Sequence, residues 1–382
     1  MNRRIYFDYN ATTPLAPEVA AAMLPYLDES YGNPSSLHWA GLPARDAVET
    51  ARAQVASLLS CDPTEVVFTA GGTEANNQAI KGVYFARSAA GLPCHIVTTQ
   101  IEHPSVLEPC RFIEKLGAEI TQLPVDRFGR VNPADVADAI RPQTALISIM
   151  HANNEVGTIQ PIGEIARIAR ENNVLLHTDA AQSVGKIVTD VDALGVDLLA
   201  LAGHKLYGPK GVGALYVRDG LHLDPLMHGA GHEAGRRAGT ENVLAIVGLG
   251  AACELAEERA ADEQVRILRD ELWRRLQRQF GDAVVLNGHP EDRLPNTLNV
   301  SFVGHSGHEI LARLPELAAS TGSACHAGNT QISPVLAAMG ISERVGFGAV
   351  RFSLGRSSTR GNIDLVIEML TNCLRNASAS TA

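Results

Sequence analysis

The segment Asp197-Leu-Leu-Ala-Leu-Ala-Gly-His204-Lys205 is the most informative part of this sequence. Its apolar residues predict a buried β-strand, and its Gly-His-Lys ending predicts a sharp break where that strand stops. A lysine prefers water and has an ordinary pKa of about 10.4, so a position at the end of a core strand is costly unless the lysine has a chemical role. One role that fits is a Schiff base, in which a neutral amine condenses with an aldehyde.

A second predicted strand with a polar end precedes this segment. It is Val174-Leu-Leu-His177-Thr-Asp179, and enough residues separate it from Lys205 for a return loop and an adjacent strand. Pyridoxal phosphate (PLP) needs a lysine for its aldehyde and a carboxylate for its ring nitrogen, which Lys205 and Asp179 would supply. These two residues alone would also fit an ordinary surface ion pair, so the prediction of PLP depends on the neighbouring motifs.

A glycine turn is predicted to hold the phosphate of PLP. Glu65-Val-Val-Phe-Thr-Ala70 has the pattern of a strand, and Gly71-Gly72-Thr73-Glu74 then opens an alanine-rich helix that runs to about Ala86. The glycines let the backbone approach an anion closely, the first helical turn offers unpaired N–H groups, and Thr73 adds a hydroxyl. The position of this turn, ahead of the strands that end in Asp179 and Lys205, makes it a candidate phosphate site.

Polar side chains also follow two other predicted strands. His103 follows His95-Ile-Val-Thr-Thr99, and Asn153 and Asn154 follow Ala145-Leu-Ile-Ser-Ile-Met150. Open parallel sheets collect their ligands at the carboxyl ends of the strands. A neutral His103 would suit stacking on a pyridine ring and proton transfer, and the two amides would suit a phenolic oxygen or a substrate carboxylate.

Strand and helix patterns alternate from about residue 14 to residue 255. This alternation predicts an α/β fold with a mainly parallel sheet and helices on both faces. Strand patterns at 297–302 and 349–353, with helices near 307–314 and 361–375, predict a smaller α+β domain, and a helical run from 240 to about 280 would connect the two. We expect a large domain at 14–255, a small domain made of 1–13 and 256–376, and a disordered tail at 377–382.

Composition and charge fit an ordinary enzyme of the cytoplasm. The 382 residues carry a formal net charge of −10 and contain no dense run of Lys and Arg, which argues against direct binding to nucleic acid or to an anionic membrane. No apolar stretch is long enough for a membrane-spanning helix, and the first eight residues lack the apolar core of a signal peptide. A cytoplasmic location is therefore expected.

The cysteines and histidines predict neither a disulfide framework nor a metal site. The six cysteines show no regular spacing and no C-x-x-C pair, which favours reduced thiols in a large cytoplasmic chain. Five of them are expected to be small core or helix residues, whereas Cys325 lies in a segment rich in glycine and serine. His228 and His232 lie in a glycine loop and the chain has no H-E-x-x-H pattern, so no metal is predicted.

Seven motifs, spread in order over nearly the whole chain from about residue 4 to residue 370, resemble the cysteine desulfurases of the NifS/IscS type. These are fold-type I PLP enzymes of the class V aminotransferase-like family. The motifs are Asp8-Tyr-Asn-Ala-Thr-Thr-Pro14, Met150-His-Ala-Asn-Asn-Glu-Val-Gly157, His177-Thr-Asp-Ala-Ala-Gln-Ser-Val-Gly-Lys186, Gly203-His-Lys-Leu-Tyr-Gly-Pro-Lys-Gly211, Arg236-Arg-Ala-Gly-Thr240, Thr321-Gly-Ser-Ala-Cys325 and Arg351-Phe-Ser-Leu-Gly-Arg356. The resemblance implies a homodimer that converts L-cysteine to L-alanine and passes the sulfur, as a persulfide, to an acceptor protein for iron–sulfur cluster assembly or thio-modification.

The resemblance also implies a role for each matching residue. Lys205, Cys325 and His103 would be catalytic: Lys205 would bond to the aldehyde of PLP, Cys325 would take the sulfur, and His103 would stack on the ring. The other cofactor-binding residues would be Asp179 at the ring nitrogen, Asn154 and Gln182 near the phenolic oxygen, Gly72, Thr73 and His204 at the phosphate, and Thr240 reaching the phosphate of a second subunit. Arg351, with Asn154, would bind the carboxylate of the substrate, a task that suits a planar guanidinium.

Two features of the sequence leave the substrate open. The iron–sulfur members of the family usually carry a serine where this chain has Ala202, so the phosphate site would lose one donor. The runs Ala324-Cys325-His326 and Ser333-Pro-Val-Leu336 resemble selenocysteine lyases, in which the replaced serine is also apolar. The alternatives to a desulfurase are therefore a selenocysteine lyase, an aminotransferase acting on 2-oxo acids, and a non-catalytic scaffold for sulfur transfer.

Overall fold

The structure is a computed structural model that describes residues 4–258, 263–322 and 332–379. The strands in this part of the chain are β1 (Ile5–Tyr6), β2 (Val66–Thr69), β3 (His95–Thr99), β4 (Glu119–Leu123), β5 (Thr144–Ser148), β6 (Leu175–Asp179), β7 (Leu198–Ala202), β8 (Gly213–Val217), β9 (Val284–Asn287), β10 (Thr297–Phe302), β11 (Leu317–Ala318) and β12 (Ala349–Ser353). The helices are α1 (Pro17–Met23), α2 (Pro25–Asp28), α3 (Gly41–Leu59), α4 (Gly72–Ala89), α5 (Pro104–Glu114), α6 (Pro133–Ala139), α7 (Ile162–Glu171), α8 (Val191–Leu194), α9 (Val243–Glu258), α10 (Glu263–Phe280), α11 (Gly307–Ala312), α12 (Pro334–Ala338), α13 (Glu343–Gly346) and α14 (Arg360–Ala379).

Seven strands form the central sheet, in the order β2-β8-β7-β6-β5-β3-β4. β8 runs antiparallel to both of its neighbours, and all the other neighbouring strands are parallel. Residues 203–212, which join β7 to β8, are too few for the crossover that a parallel partner needs. The predicted mainly parallel α/β sheet is confirmed.

Successive residues of the central strands face opposite layers of helices, because side chains alternate along a strand. Phe68, Val97, Ile147 and Leu199 belong to a core shared with α3, α7 and α9. Their preceding neighbours in each strand, Val67, Ile96, Leu146 and Leu198, belong to a second core shared with α4 and α5. Burial on both faces explains why these strands read as nearly continuous apolar runs.

A smaller sheet of three antiparallel strands, in the order β12-β10-β9, packs against α10 and α14. β1 pairs with β11, and Ile5 and Phe7 lie in the same apolar core as α10 and α14. Asp8 then forms a bridge to Ser353 at the end of β12, so the N-terminal segment passes from this core toward the central sheet.

Several element boundaries differ from those that the sequence predicts. The helical run expected from 240 to 280 is two helices, α9 and α10, with residues 259–262 between them outside the described part of the chain. α14 continues to Ala379, so a disordered tail cannot begin at residue 377; the last three residues are not described. None of the described helices combines the length and the apolar character that a bilayer-crossing segment requires.

Candidate active site

Asp179 and Lys205 lie at the carboxyl edge of the central sheet. β6 ends at Asp179, and its parallel neighbour β7 runs into the helical turn Gly203–Lys205. The Nζ of Lys205 donates hydrogen bonds to the backbone oxygens of Asn10 (2.6 Å) and Ala11 (2.8 Å). The N-terminal segment therefore holds the amine of Lys205 in place beside the strand ends.

The surroundings of Lys205 favour its neutral form. Burial lowers the pKa of Lys205 from its ordinary 10.5 to about 8, and the positive charge of Arg351 acts in the same direction, while Asp179 and Asp8 oppose it. A larger fraction of the amine is therefore unprotonated at neutral pH. That is the form that condenses with an aldehyde.

Both carboxylate oxygens of Asp179 are held by donors. The backbone N–H of Ala181 donates to Oδ1 (2.9 Å), and the side-chain amide of Asn76 donates to Oδ2 (2.8 Å). Asp179 is only 8% exposed. Both oxygens are therefore fixed in position, in a geometry suited to a protonated ring nitrogen.

The turn predicted to hold a phosphate lies beside the same edge. Gly72 begins α4, and a Cβ added to it would lie 3.3 Å from the Cβ of Ala202. Gly213 allows the turn to pack this closely, because a Cβ there would lie 2.8 Å from Cα of Gly71. Thr73 is exposed at the start of the helix, so the first-turn N–H groups and its hydroxyl face an open site. Ala202, which replaces the serine usual in the iron–sulfur members, does lie against this turn.

His204 lies between Lys205 and the N-terminal segment. Its Nδ1 is 3.2 Å from Oγ1 of Thr12, and its backbone oxygen accepts hydrogen bonds from the backbone and the hydroxyl of Thr13. Burial, reinforced by the positive charge of Lys205, lowers the pKa of His204 to about 4. His204 is therefore a neutral group that can offer a phosphate a hydrogen bond but no charge at neutral pH.

Asn10 joins the elements of the site, and the sequence did not predict this role. Its backbone oxygen accepts from Gln182 Nε2 (3.0 Å) as well as from Lys205, and its amide donates to the backbone oxygen of Asn154 (3.2 Å) and to Thr297 Oγ1 (2.8 Å). Asn10 is 1% exposed. It contacts residues more than 140 positions away, so no local pattern in the sequence could reveal it.

Gln182 and Asn154 differ in how far their side chains are already engaged. Gln182 donates to Asn10, and its Oε1 accepts from the buried Lys186 (2.9 Å), so both ends of its amide are held. The amide of the half-buried Asn154 side chain makes no hydrogen bond with the described residues. Of the two, Asn154 has the side chain that remains available for a ligand.

Arg351 lies in β12, and its side chain reaches the N-terminal segment and the Asn154 turn. One terminal nitrogen donates to Asp8 Oδ1 and the other to the backbone oxygen of Asn154, both at 2.8 Å. Its Nε is buried and has no hydrogen-bond partner in the described part of the chain. The guanidinium is therefore fixed in position, with a pair to Asp8 that a bound carboxylate would have to displace or share.

Cys325, the predicted sulfur acceptor, and His326 lie outside the described residues. The segment before them is described: Ser320 exchanges two backbone hydrogen bonds with Arg351, and a Cβ on Gly322 would lie 2.6 Å from Oε2 of Glu155. The described chain therefore passes beside Arg351 at Ser320 and ends at Gly322, three residues before Cys325 in the sequence.

The other five cysteines are poor candidates for a thiolate. Burial raises the pKa of Cys94 to about 11 and that of Cys61 and Cys110 to about 12. Burial also raises the pKa of Cys253 and of Cys373. A thiol must lose its proton to act as a nucleophile, so none of these five is prepared for that reaction.

Thr240, predicted to reach a second subunit, is exposed, and the described contacts do not join it to the phosphate turn of its own chain. The loop that carries it is anchored firmly. Arg52 and Glu233 form a buried bidentate ion pair at 2.8 Å, and Arg237 pairs with Glu74 at 2.8 Å in the phosphate-turn motif. The loop is therefore held against its own subunit while Thr240 faces outward.

His103 is the N-cap of α5, and part of its surface is exposed. Its pKa is lowered by burial of the ring among protein atoms and by Lys205, against the opposing effect of Asp179. The structure therefore brings His103, Asp179, Lys205 and Arg351 into one site.

Among the described residues no group of His, Cys, Asp and Glu side chains is arranged to hold a metal ion.

The donor set fits PLP. Lys205 offers the aldehyde an amine with a lowered pKa, and Asp179 offers the ring nitrogen a carboxylate that two donors hold in place. The glycine turn at the start of the 18-residue helix α4 is available for the phosphate. An added Cβ on Gly71 would meet nothing within 4 Å, so the turn ahead of the first helical N–H groups has open space for an anion.

Comparison with known proteins gives a consistent result. The profile of the aminotransferase class V family matches residues 5–366. The chain is 50% identical to the cysteine desulfurase IscS of Dictyoglomus turgidum, over 97% of this chain and 94% of that relative. It is similar to the solved structure of a NifS-like protein (TM-score 0.91, 36% identity, 97% of this chain and 99% of that one) and to SspA solved in complex with cysteine (TM-score 0.81, 40% identity, 91% and 98%).

Proposed function

The chain belongs to the aminotransferase class V family, and within that family we propose that it is a PLP-dependent cysteine desulfurase. One observation carries this proposal: Lys205 and Asp179 lie at neighbouring strand ends. The pKa of Lys205 is lowered, and the Asp179 carboxylate accepts a hydrogen bond at each oxygen. The relatives named as cysteine desulfurases support it across nearly the full chain. The product is L-alanine, and the sulfur leaves as a persulfide.

PLP, when bound, supplies an aldehyde that holds the amine of the substrate and a ring that stabilises negative charge at the neighbouring carbon. Asp179 keeps the proton on the ring nitrogen, which is the condition for that stabilisation. Lys205 accepts the proton from Cα of L-cysteine through its Nζ, since an amine with a pKa of about 8 is partly unprotonated near neutral pH. The backbone oxygens of Asn10 and Ala11 hold Nζ while it carries this proton.

Arg351 and Asn154 bind the carboxylate of L-cysteine. Within the described residues, Nε of Arg351 and the side-chain amide of Asn154 have no hydrogen-bond partner, so both retain donors for an added carboxylate. Asp8 then shares the guanidinium with the substrate. Gln182, with Lys186 behind it, keeps the phenolic-oxygen side of the site in place.

Cys325 takes the sulfur. As a thiolate it attacks the sulfur of the substrate to form the persulfide, and the electron pair of the broken carbon–sulfur bond stays with the three-carbon fragment. Cβ of that fragment then takes up a proton, Lys205 returns its proton to Cα, and the product leaves as alanine. The raised pKa values of the other cysteines support the choice of Cys325. A persulfide on a glycine- and serine-rich segment suits delivery to an acceptor protein, either an iron–sulfur scaffold or a thiolation enzyme.

The working form is a homodimer in the cytoplasm. Thr240, on its anchored loop, would complete the phosphate site of the partner subunit, where the missing serine at Ala202 makes each remaining donor more important. The net charge of −10 and the lack of a basic run fit a protein that meets other proteins and small substrates, without direct binding to nucleic acid or membrane.

The function is tested by measuring alanine formed from L-cysteine and from L-selenocysteine by the wild type, Lys205→Ala and Lys210→Ala. We expect alanine from L-cysteine with the wild type and with the exposed-lysine control Lys210→Ala, and none with Lys205→Ala. Activity on L-selenocysteine alone would transfer the assignment to a selenocysteine lyase, and amino transfer to 2-oxo acids would transfer it to an aminotransferase.

A further inference from the structure

Four polar residues form a continuous hydrogen-bonded row from His103 to Asp179. The backbone N–H of Ser105 donates to Nδ1 of His103 (3.1 Å), and the Ser105 hydroxyl lies 2.8 Å from the same nitrogen. The side-chain amide nitrogen of Asn76 lies 2.8 Å from Ser105 Oγ and 2.8 Å from Asp179 Oδ2. A residue of α4 thus connects the start of α5 to the end of β6.

The direction of each hydrogen bond follows from groups that can act in only one way. A backbone N–H only donates, so Nδ1 of His103 is an acceptor, and the proton of the neutral ring lies on Nε2. A carboxylate only accepts, so Asn76 must present its NH₂ to Asp179, and its second hydrogen points to Ser105. The Ser105 hydroxyl, accepting from Asn76, gives its own proton to His103.

We propose that Ser105 and Asn76 are positioning residues that hold His103 as the neutral ring with its proton on Nε2. This inference rests on the proposed function, since it makes His103 a hydrogen-bond donor toward the bound substrate. A proton added to Nδ1 would face the Ser105 N–H and remove the side-chain cap of α5. While the row is intact, the neutral His103 ring donates from Nε2, and protonation of Nδ1 is shifted to lower pH.

The charged neighbours of His103 are compatible with a neutral ring. Burial and the positive charge of Lys205 disfavour its protonation, and Asp179 favours it. Glu102, the preceding residue, is buried, which raises the pKa of its carboxyl to about 8 and reduces its negative charge at neutral pH. Ser105 and Asn76 therefore act in the same direction as burial and oppose Asp179.

The test is ¹⁵N NMR of the full-length protein labelled at the histidine rings, recorded across pH, with and without PLP. The His103 signals are assigned by their loss in His103→Gln. In the wild type we expect a protonated Nε2 and an unprotonated Nδ1. Ser105→Ala removes the hydroxyl that stabilises the neutral ring. The titration midpoint of His103, the pH at which its ring is half protonated, should therefore rise by about half to one pH unit.

Two further variants and one control test whether the change in His103 comes from the hydrogen-bonded row or from mutation in general. Ser105→Thr keeps the hydroxyl and should restore the wild-type midpoint, and Asn76→Ala should raise it. Ser148→Ala is the matched control, because Ser148 makes the same 2.8 Å contact with Nδ1 of His177, and it should leave His103 unchanged.

A neutral wild-type ring with its proton on Nδ1, seen at pH values above the midpoint, would overturn the proposal, and so would an unchanged midpoint in Ser105→Ala. The spectra need no substrate, so they report the state of His103 whether or not the protein forms alanine from cysteine. In the active protein, the acidic limb of the pH profile of kcat should move upward in Ser105→Ala by the same amount as the His103 midpoint.

Discussion

At the scale of single residues, the properties of Lys205 depend on its surroundings and on its position in the sheet. Burial and Arg351 lower the pKa of its amine, and two backbone oxygens hold it. The amine is neutral above its pKa, so lowering that pKa from 10.5 to about 8 moves the onset of reactivity with an aldehyde down to about pH 8. A lysine in water would not react readily until a much higher pH.

We therefore predict how PLP uptake by the cofactor-free protein varies with pH. The uptake rate, followed by absorbance after rapid mixing, should rise about tenfold per pH unit below pH 8 and level off above it. Arg351→Gln removes a nearby positive charge and should shift the midpoint upward. A wild-type midpoint near 10.5 would show that burial does not affect Lys205 in this way.

The sequence predicted some of these residues and missed others for a physical reason. Asp179, Lys205, His103 and the glycine turn follow strands directly, so the order of strands predicts that they meet. Asn10 gives no such signal, because its partners come from distant parts of the chain. Long-range hydrogen bonds have no local periodicity, and only the folded chain reveals them.

At the scale of secondary structure elements, the phosphate turn depends on the strand behind it. Gly213 is the first residue of β8 and pairs with Ala202 in β7. A Cβ at this position would lie 2.5 Å from the backbone oxygen of Leu201 and 2.8 Å from the backbone of Gly71. The sequence predicted the glycine turn but not this dependence, since the antiparallel return of β8 is set by the short connection of residues 203–212.

Gly213→Ala should displace the phosphate turn. Overpacking of this kind costs about 1–3 kcal/mol, so we expect the Kd for PLP to rise by about fivefold or more and the unfolding midpoint to fall. The matched control is Gly163→Ala in α7, where an added Cβ meets nothing within 4 Å. It should leave PLP binding unchanged and stabilise the fold by up to about 1 kcal/mol. Equal PLP affinity in the wild type and Gly213→Ala would remove β8 from the phosphate site.

At the scale of the whole molecule, the described part of the chain has two main bodies of apolar packing, and the N-terminal segment begins in one of them and continues toward the other. One surrounds the central sheet, and the other joins β1, β9, β10 and β12 to α10 and α14. The site lies where residues of both meet, with Lys205 and Asp179 from the first and Arg351 from the second. The βα alternation in the sequence was sufficient to predict the central sheet. It did not predict that the segment containing Asp8 and Asn10 connects the two bodies of apolar packing.

Five large apolar side chains in residues 24–39 are more than half exposed, which favours coverage by a second copy of the chain. They are Leu24, Leu27, Tyr31, Leu37 and Trp39. We predict that sedimentation gives twice the 40.7 kDa chain mass and that Trp39→Asp shifts the protein toward monomer. Leu116→Asp, at an apolar residue 49% exposed outside this segment, should remain dimeric. A wild-type monomer that is fully loaded with PLP would contradict the shared site and the role of Thr240.

In the proposed reaction, sulfur leaves L-cysteine through a covalent bond to Cys325. Sulfur is a poorer leaving atom than selenium, so its removal should need capture by a thiolate. The direct measurement is alanine formed from L-cysteine by the wild type and by Cys325→Ala, with the mass of the Cys325 peptide recorded after turnover. We predict a persulfide on Cys325 in the wild type, and loss of alanine formation with unchanged PLP content in Cys325→Ala. Undiminished turnover of L-cysteine by Cys325→Ala would contradict the account.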